Sequence, residues 1–416
     1  MEGVWIMVYV LNQEGKPLMP TSRHGKVKHL LRSGKAKVVK RTPFTIQLCY
    51  ETPEYTQPIT LGVDAGSKVV GLSATTEKEE LYSSEVELRN DIVNLLSTRR
   101  QNRRTRRNRL RYREARFLNR TSSKKKGWLA PSIQHKVDSH LKAIANVSKI
   151  LPISKIIIET ASFDIQKIKN PEISDVEYQQ GEQLGFWNVR EYVLWRDGHK
   201  CQYCHGKSKD KVLNVHHKES RKTGGDSPGN LVTLCKTCHD LYHAGRINLK
   251  LTQSKSFRDA TFMGIMRWSV YNRLKEIYHN VSMTYGYITK NTRIAHNIEK
   301  VHNADALCIT GNLDATRSNV IYNQAFKRRH NRQIHKANFL KGGRKKLNQA
   351  PYEVKGFCLF DKVLFQGEEC FIFGRRSSGY FDLRKLDGTV VHRSASYNKL
   401  KLLEKQSTLL VERKVA

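Results

Sequence analysis

The chain has 416 residues, and its 74 lysines and arginines outnumber its 38 aspartates and glutamates, which gives a formal net charge of +36. Hydrophobic residues make up 38% of the chain, so the composition excludes a disordered basic protein. The length predicts roughly two to four folded units. The positive excess is far larger than solubility requires and indicates a polyanionic partner, for which nucleic acid is the first candidate.

An anionic membrane is the weaker alternative for the polyanion. The apolar run at residues 4–11 is too short to span a bilayer and lacks a preceding basic segment, so it predicts a buried strand and not a signal peptide. No lipidation motif occurs. Eight cysteines, four of them in one paired motif, fit a reducing compartment in which thiolates bind metal. We therefore expect a cytoplasmic protein without a membrane partner.

Residues 1–58 predict a small α+β unit. It begins with a strand, continues with a turn that reads GKPLMP at 15–20 and a short basic helix ending near Gly34, and closes with a second strand at 43–50. A concentrated group of basic side chains predicts a nucleic-acid-binding face, although a solvated surface gives the same pattern. These residues are His24, Lys26, Lys28, His29, Arg32, Lys35, Lys37, Lys40 and Arg41.

Residues 59–90 predict an apolar strand that ends at Asp64, a glycine turn and a second strand. A strand-end aspartate is a candidate metal ligand, but many turns carry Asp-x-Gly for backbone reasons alone.

The densest charge lies in residues 91–122, a segment without proline or glycine. It predicts a helix that is ordered between phosphates, because its guanidinium groups repel one another. A disordered basic tract is the alternative. The arginines are Arg99, Arg100, Arg103, Arg104, Arg106, Arg107, Arg109, Arg111, Arg113, Arg116 and Arg120.

Residues 123–180 predict an amphipathic helix at 131–150, followed by a buried strand that ends at Glu159. A carboxylate at the end of a buried strand costs free energy unless it meets a cation or a donor. Glu159 is therefore a second candidate metal ligand, with a strand end at the surface as the alternative. Asp164 is an additional candidate ligand.

Residues 181–250 contain two C-x2-C pairs, Cys201 with Cys204 and Cys235 with Cys238. This spacing predicts a closed tetrahedral zinc site. A second polar set lies between and after the pairs, and a zinc module used only for binding would leave it without a role. Its members are His216, His217, Asn230, His239 and His243.

Residues 251–315 predict a helix at 262–278 and a later helix that carries His302 and Asp305. These two residues are three apart and share one helical face. An ordinary surface pair is the alternative.

Residues 316–416 begin with a basic tract and then become rich in short strands with Gly and Asp-Gly turns, which predicts a small β-barrel. Arg375, Arg376 and Arg384 are candidates for contacts to bases or phosphates.

The His-His pair, the later asparagine and the histidine after the second cysteine pair resemble the HNH endonuclease family in order. The resemblance implies a ββα-metal fold in which His217 is the general base that activates water and Asn230 braces the hairpin. It also implies that one Mg²⁺ is held on the phosphate by His216, His239 and His243. The family often has aspartate where this chain has His216, and imidazole is the softer ligand.

The two strand-end carboxylates and the His-x-x-Asp helix resemble, in order, the three segments of a split RuvC domain with an RNase H-like fold. The resemblance implies that Asp64, Glu159 and Asp305 hold two Mg²⁺ ions, and that His302 acts as a base or orients the water.

The complete arrangement resembles the IscB family of bacterial, transposon-encoded RNA-guided nucleases, relatives of the CRISPR effector with the same two nuclease domains. The resemblance implies an α/β multi-domain protein with an N-terminal PLMP domain, a split RuvC core, a bridge helix, an inserted HNH domain with a four-cysteine zinc site, and a C-terminal β-rich domain. The boundaries are 1–58 for PLMP, 59–90, 123–180 and 251–315 for RuvC, 91–122 for the bridge helix, 181–250 for HNH, and 316–416 for the basic tract and the β-rich domain that contacts a target motif.

By this resemblance, the chain makes double-strand breaks in DNA selected by a guide RNA, with HNH cutting the guide-paired strand and RuvC the displaced strand. The expected partners are the guide RNA, held by the arginine-rich helix, and a DNA duplex with a short flanking motif. A monomeric, nucleoid-associated ribonucleoprotein is expected. Two other classes remain open: a protein-guided nuclease, such as a junction resolvase or homing enzyme, and a non-catalytic RNA-binding protein.

Overall fold

The computed structural model describes residues 7–108, 129–160, 189–219, 228–248, 258–328, 335–338, 344–347 and 350–415. The chain divides into two compact units, the first made of 1–160 and 269–416 and the second of 161–268. Arg109, Arg111 and Arg113 of the predicted arginine-rich helix lie outside the described residues, as do Arg116, Arg120 and Asp164.

The helices and strands lie in the following order along the chain. They are β1 Tyr9–Leu11, α1 His24–Arg32, β2 Ala36–Lys40, β3 Thr45–Leu48, β4 Thr60–Ala65, β5 Val69–Thr75, β6 Glu80–Glu87, α2 Ile92–Asn108, α3 Pro131–Ser148, β7 Lys155–Glu159, α4 Val189–Arg196, β8 Leu213–His217, β9 Leu231–Cys235, α5 Lys236–His243, α6 Arg258–Ile277, β10 Val281–Thr284, α7 Gly286–Ala295, α8 His302–Thr310, β11 Val320–Phe326, β12 His335–Asn338, β13 Arg344–Leu347, β14 Glu353–Val354, β15 Phe357–Cys358, β16 Lys362–Phe365, β17 Glu368–Arg375, β18 Tyr380–Arg384, β19 Val390–Ser396, β20 Lys401–Glu404 and β21 Leu409–Val415.

A seven-stranded sheet with the order β10-β7-β4-β5-β6-β11-β21 forms the centre of the first unit. β4, β5 and β6 are antiparallel neighbours, whereas β7 runs parallel to β4 and β10 runs parallel to β7. Val63 pairs with Ile158, so Asp64 and Glu159, each one residue further along, lie at the same edge of the sheet. Parallel neighbours have their carboxyl ends at one edge, which is where the strand-end carboxylates meet.

The apolar sequences of β4 and β7 explain why these two strands lie inside the seven-stranded sheet. Leu61, Val63, Ile156 and Ile158 are each at most 1% exposed. Nearly continuous runs of this kind are typical of strands covered on both faces.

Helix α8 lies directly on the sheet because two strand residues have no side chain. A Cβ on Gly62 would lie 2.0 Å from the carbonyl oxygen of Ala306, and a Cβ on Gly71 would lie 1.9 Å from that of His302. The helix therefore packs backbone against backbone. It ends at Gly311, whose φ of +80° is the left-handed conformation that commonly terminates helices.

The N-terminal segment forms a three-stranded sheet with the order β1-β3-β2, and α1 packs on it. The short basic helix is confirmed at His24–Arg32. β2 was not predicted, because its exposed lysines and valines lack a clear alternation of apolar and polar residues.

The described C-terminal strands divide among four sheets, of which β12 with β13 and β14 with β15 form two-stranded ones. β16 to β20 form a five-stranded antiparallel sheet with the order β19-β18-β17-β16-β20. β11 and β21 instead extend the seven-stranded sheet, since β11 pairs with β6 and β21 pairs with β11. Residues 316–416 therefore contribute strands to the central sheet as well as to the β-rich sheet.

The second unit contains an antiparallel hairpin of β8 and β9, with α5 following β9 directly. Tyr192 and Val193 of α4 pack with Leu231 of β9 in a small core. Asp210 accepts hydrogen bonds from the backbone N–H of Thr237 at 2.8 Å and from its hydroxyl at 2.9 Å, which stabilises the first turn of α5. Within the described residues, no helix is both long and apolar enough to cross a membrane.

Replacing Gly71 with alanine should destabilise the first unit by about 1–3 kcal/mol or more. The new methyl group would overlap backbone atoms, which cannot move aside as a side chain does. Gly25→Ala is the matched control: it lies in α1, where an added methyl group would have nothing within 4 Å, and it should change stability by less than about 1 kcal/mol. Urea unfolding of both variants measures the difference. Equal stabilities would contradict the close packing of α8.

Candidate functional site

Four cysteines of the second unit converge. The sulfur atoms of Cys201, Cys204, Cys235 and Cys238 lie within 4.8 Å of one another, and all four are free thiols. Three of the four residues are buried. Converging thiols without a disulfide suit a soft divalent metal, so the residues fit a closed four-thiolate site. The sequence predicted this set of four cysteines, and the structure brings their sulfur atoms together.

Ser208 contacts two of these sulfur atoms, and the sequence offered no signal for it. Its hydroxyl lies 3.0 Å from Sγ of Cys235 and 3.3 Å from Sγ of Cys204. The hydrogen bond to Cys204 is the main cause that lowers the pKa of that thiol to about 6. Burial raises the pKa of Cys238.

A second cluster lies where the hairpin faces α5. One ring nitrogen from each of His216, His239 and His243 lies within 4.8 Å of the others, and Nε2 of His239 is 3.3 Å from Nε2 of His243. His216 comes from β8, and the other two occupy successive turns on one face of α5. The sequence predicted this set, and the structure brings it together.

His216 has the environment of a metal ligand. Burial, followed by the nearby imidazoles of His239, His243 and His217, lowers the pKa of His216 to about 4. It is therefore neutral near pH 7, which is the form that binds a cation. Its Nε2 is buried and makes no hydrogen bond within the described residues. A buried polar atom without a partner is costly, and a bound metal ion would remove that cost.

Asn230 holds the end of the hairpin at which β8 ends and β9 begins. It is fully buried, its Oδ1 accepts from the N–H of Glu219 at 2.8 Å, and its Nδ2 donates to the carbonyl of Glu219 at 3.2 Å. Its own carbonyl accepts from the N–H of Lys218 at 2.7 Å. These bonds fix the chain immediately after His217, the predicted base, which ends β8. His217 is half-buried.

A separate acidic group lies in the first unit at the carboxyl edge of β4 and β7. Asp64 and Glu159 are both buried. Nδ1 of His302 lies 2.6 Å from Oδ2 of Asp64, and this hydrogen bond raises the pKa of His302. The backbone N–H of His302 donates to Glu85 at 2.9 Å, so β6 fixes the start of α8.

Asp305 lies close to this pair and forms an ion pair with an arginine that the sequence analysis did not predict. Nε of Arg293, from α7, is 3.1 Å from Oδ1 of Asp305, and both side chains are mostly buried. Burial and the charge of Asp64 raise the pKa of Asp305. Among the described residues, Asp64, Glu159 and Asp305 do not form a ligand cluster within 4.8 Å, unlike the two clusters of the second unit.

The predicted RNA-binding helix is present as α2 up to Asn108. Arg99, Arg100, Arg103 and Arg104 are exposed on it. Ile92, Leu95 and Leu96 line one side of a cavity of about 420 Å³ together with Arg89, Arg99 and Arg328. Arg106 and Arg107 lie in the last turns of α2.

The three arginines predicted to contact bases or phosphates all have partners in the chain. Arg375 donates to the carbonyl of Tyr352, and Arg376 donates to the hydroxyl of Ser394 at 2.8 Å. Arg384 forms an ion pair of 2.7 Å with Asp382.

Two family models match separate parts of the chain. Residues 8–181 match the RRXRR protein model, and positions 103–107 within them read RRTRR. Residues 201–245 match the HNH endonuclease model. Residues 201–245 form an HNH endonuclease domain. This domain contains both the four-cysteine cluster and the three-histidine cluster, and the match supports a nuclease that acts on nucleic acids.

The solved structures similar to this chain include Streptococcus thermophilus Cas9. In complex with the GGAA PAM, that protein is 17% identical with a TM-score of 0.29, covering 51% of this chain and 30% of the Cas9 chain. In complex with the AGAA PAM, it is 17% identical with a TM-score of 0.26, covering 44% and 26%. TM-scores this low do not establish a shared overall fold, and this chain spans less than a third of that protein's length. No curated protein matches the chain.

Replacing Asn230 with alanine should destabilise the HNH domain by about 1–3 kcal/mol, because the N–H and carbonyl of Glu219 lose their partner. Hydrogen exchange should accelerate at the amide of Glu219, which loses its acceptor. Asn214→Ala, on a half-buried position of β8, is the control and should leave that exchange unchanged. Slow exchange at the Glu219 amide in Asn230→Ala would show that the side chain does not hold the hairpin.

Proposed function

We propose that this chain is an RNA-guided DNA endonuclease with two cleavage sites, one in the HNH domain and one at the acidic group of the first unit. The observation that carries the proposal is the presence of two separate groups of catalytic residue types: the histidine cluster beside His217, and Asp64 beside His302. Each lies within its own unit of the chain.

In the HNH domain, His217 is the general base that removes a proton from the attacking water. Asn230 holds the backbone after His217, so the imidazole is aimed by the end of the hairpin. His216, His239 and His243 would hold a divalent cation, with Mg²⁺ as the proposed ion. A cation at that position neutralises charge on the phosphate oxygens and the leaving oxygen.

The first unit supports an RNase H-like core of the RuvC type. β4, β5 and β6 are antiparallel neighbours in the sheet. β7 and β10 lie on the other side of β4 and run parallel to it, and α8 packs on β4 and β5. Asp64, Glu159 and Asp305 would hold two Mg²⁺ ions. Asp64 pairs with His302 and Asp305 with Arg293, so positive charge is favourable beside these carboxylates. His302 is the proposed base or water-orienting residue.

The order of the segments along the chain supports the proposed family and domain organisation. We infer a member of the IscB family, with a PLMP domain, three RuvC segments, an arginine-rich bridge helix and a C-terminal domain that reads a short motif beside the target. The charge of +36 and the exposed arginines of α2 support binding of a guide RNA and a DNA duplex. HNH cuts the guide-paired strand and the acidic site cuts the displaced strand, in a monomeric complex in the cytoplasm.

The two sites should be separable by mutation. His217→Ala should abolish cutting of the guide-paired strand alone, and Asp64→Ala should abolish cutting of the displaced strand alone. Each loss should be about 100-fold or more, because general-base or metal support is removed. Strand-specific end labels in the ribonucleoprotein measure both cuts. The controls are His279→Ala and Asp314→Ala, both outside the two proposed sites.

Loss of both cuts from either substitution, in a folded protein that retains its RNA, would contradict two independent sites. RNA of defined length that co-purifies with the protein supports guidance by RNA, and its absence would favour a protein-guided nuclease.

The four cysteines should hold a structural zinc. Elemental analysis is expected to find about one zinc per chain, because four thiolates bind this ion tightly. Cys201→Ser should lose the zinc and unfold the HNH domain, whereas Cys49→Ser, at an exposed position outside the cluster, should retain both. A zinc-free wild-type protein with a fully folded HNH domain would rule out the metal assignment.

A further inference from the structure

Two tyrosines at the start of α7 have no role in the sites described above. Tyr285 immediately precedes the helix, and Tyr287 is its second residue. Their side chains are 36% and 51% exposed. The two rings lie 6.1 Å apart between centroids and are inclined by only 10°, so they present parallel faces.

These rings lie beside the acidic group. Thr284, the last residue of β10, pairs with Glu159, and Tyr285 is the next residue along the chain. Between the tyrosines lies Gly286, where a Cβ would be 3.1 Å from Oε1 of Glu159. The backbone that carries both rings therefore touches the carboxylate of Glu159, and glycine is the residue that permits this approach.

We propose that Tyr285 and Tyr287 form a stacking platform for an unpaired base of the DNA strand that is cut at the acidic site. This inference rests on the proposed function of that site. The platform would hold a nucleotide next to the scissile phosphate, so that the phosphate lies at the carboxylates.

The chemistry of the platform selects an unpaired base. Inside a duplex both faces of each base are covered by its neighbours, whereas an unpaired base offers a free face to an aromatic ring. Exposed Lys290 lies three residues after Tyr287, on the same side of α7, and supplies a positive charge for the adjoining phosphate. Every base has such a face, so the platform sets the position of the strand and not its sequence.

The occupant is DNA and not the guide RNA, because the platform adjoins the carboxylates that cut DNA in the proposed function. An RNA strand held here would place its own phosphates at those carboxylates. The platform is thus part of the path of the displaced strand.

Fluorescence of 2-aminopurine tests the stacking without any cleavage. The probe is a short single-stranded oligothymidylate carrying one 2-aminopurine, bound to the full chain with Asp64→Ala so that it stays intact. In this background, stacking on the tyrosines should quench the probe. The variant Tyr285→Leu/Tyr287→Leu should lose this quenching and bind about ten-fold more weakly. The variant Tyr285→Phe/Tyr287→Phe keeps the rings and should retain both.

A second readout uses the ribonucleoprotein with Asp64 intact. The leucine pair should raise the KM for cutting the displaced strand about ten-fold with little change in kcat, and should leave cutting by the HNH domain unchanged. Tyr55→Leu, at a position 88% exposed on another part of the chain, is the control for the loss of a surface ring. Melting temperatures of all variants should agree, since none of these side chains is buried.

Each outcome bears on the proposal separately from the proposed function. Unchanged quenching in the leucine pair overturns the platform, whatever the cleavage results. Stronger quenching of a matching oligouridylate, also lost in the leucine pair, overturns the assignment to DNA. If Asp64→Ala does not stop cutting of the displaced strand, the proposed function fails, while the quenching still decides whether the tyrosines stack on a base.

Discussion

The close approach of α8 to the central sheet is the constraint on which the first unit depends. Gly62 and Gly71 leave no space for a side chain beneath the carbonyls of Ala306 and His302. Because the helix lies so near the sheet, Nδ1 of His302 comes within 2.6 Å of the Asp64 carboxylate. Glu85 fixes the start of the helix through its first N–H groups. Two glycines and one carboxylate thus position the polar residues of the proposed RuvC-type site.

Charge balance explains the form of that site. Buried carboxylates are costly unless a cation compensates them. Here His302 pairs with Asp64, and Arg293 pairs with Asp305. A divalent ion that binds these carboxylates has to compete with the resident cations, so Arg293 influences how strongly Asp305 binds metal. In the proposed function, the positive charge elsewhere in the chain serves a different purpose, which is to hold the phosphates of nucleic acid.

In the proposed function, the two side-chain clusters of the HNH domain have separate structural and chemical roles. The cysteines come from the segment before β8 and from the junction of β9 with α5, so a metal held by them ties these segments together. The histidines come from β8 and α5. The packing of hairpin on helix that the cysteines stabilise is therefore the same packing that brings His216 to His239 and His243. We therefore expect loss of the first cluster to disrupt the geometry of the second.

The sequence by itself determined the local chemistry. The short-range patterns are the C-x2-C pairs, the His-His doublet, Asn230 and the i, i+4 histidines. They predicted which residues make up the two clusters of the HNH domain, because hairpin and helix geometry follow from nearby residues. The strand ending at Glu159 and the helix beginning at His302 could be predicted for the same reason. The tertiary structure decided which distant residues meet. Arg293 beside Asp305, Glu85 at the start of α8, Ser208 between two sulfurs, and β11 and β21 in the central sheet depend on strand order and helix packing. No local pattern encodes those contacts, because each depends on how separate strands, helices and turns pack on one another.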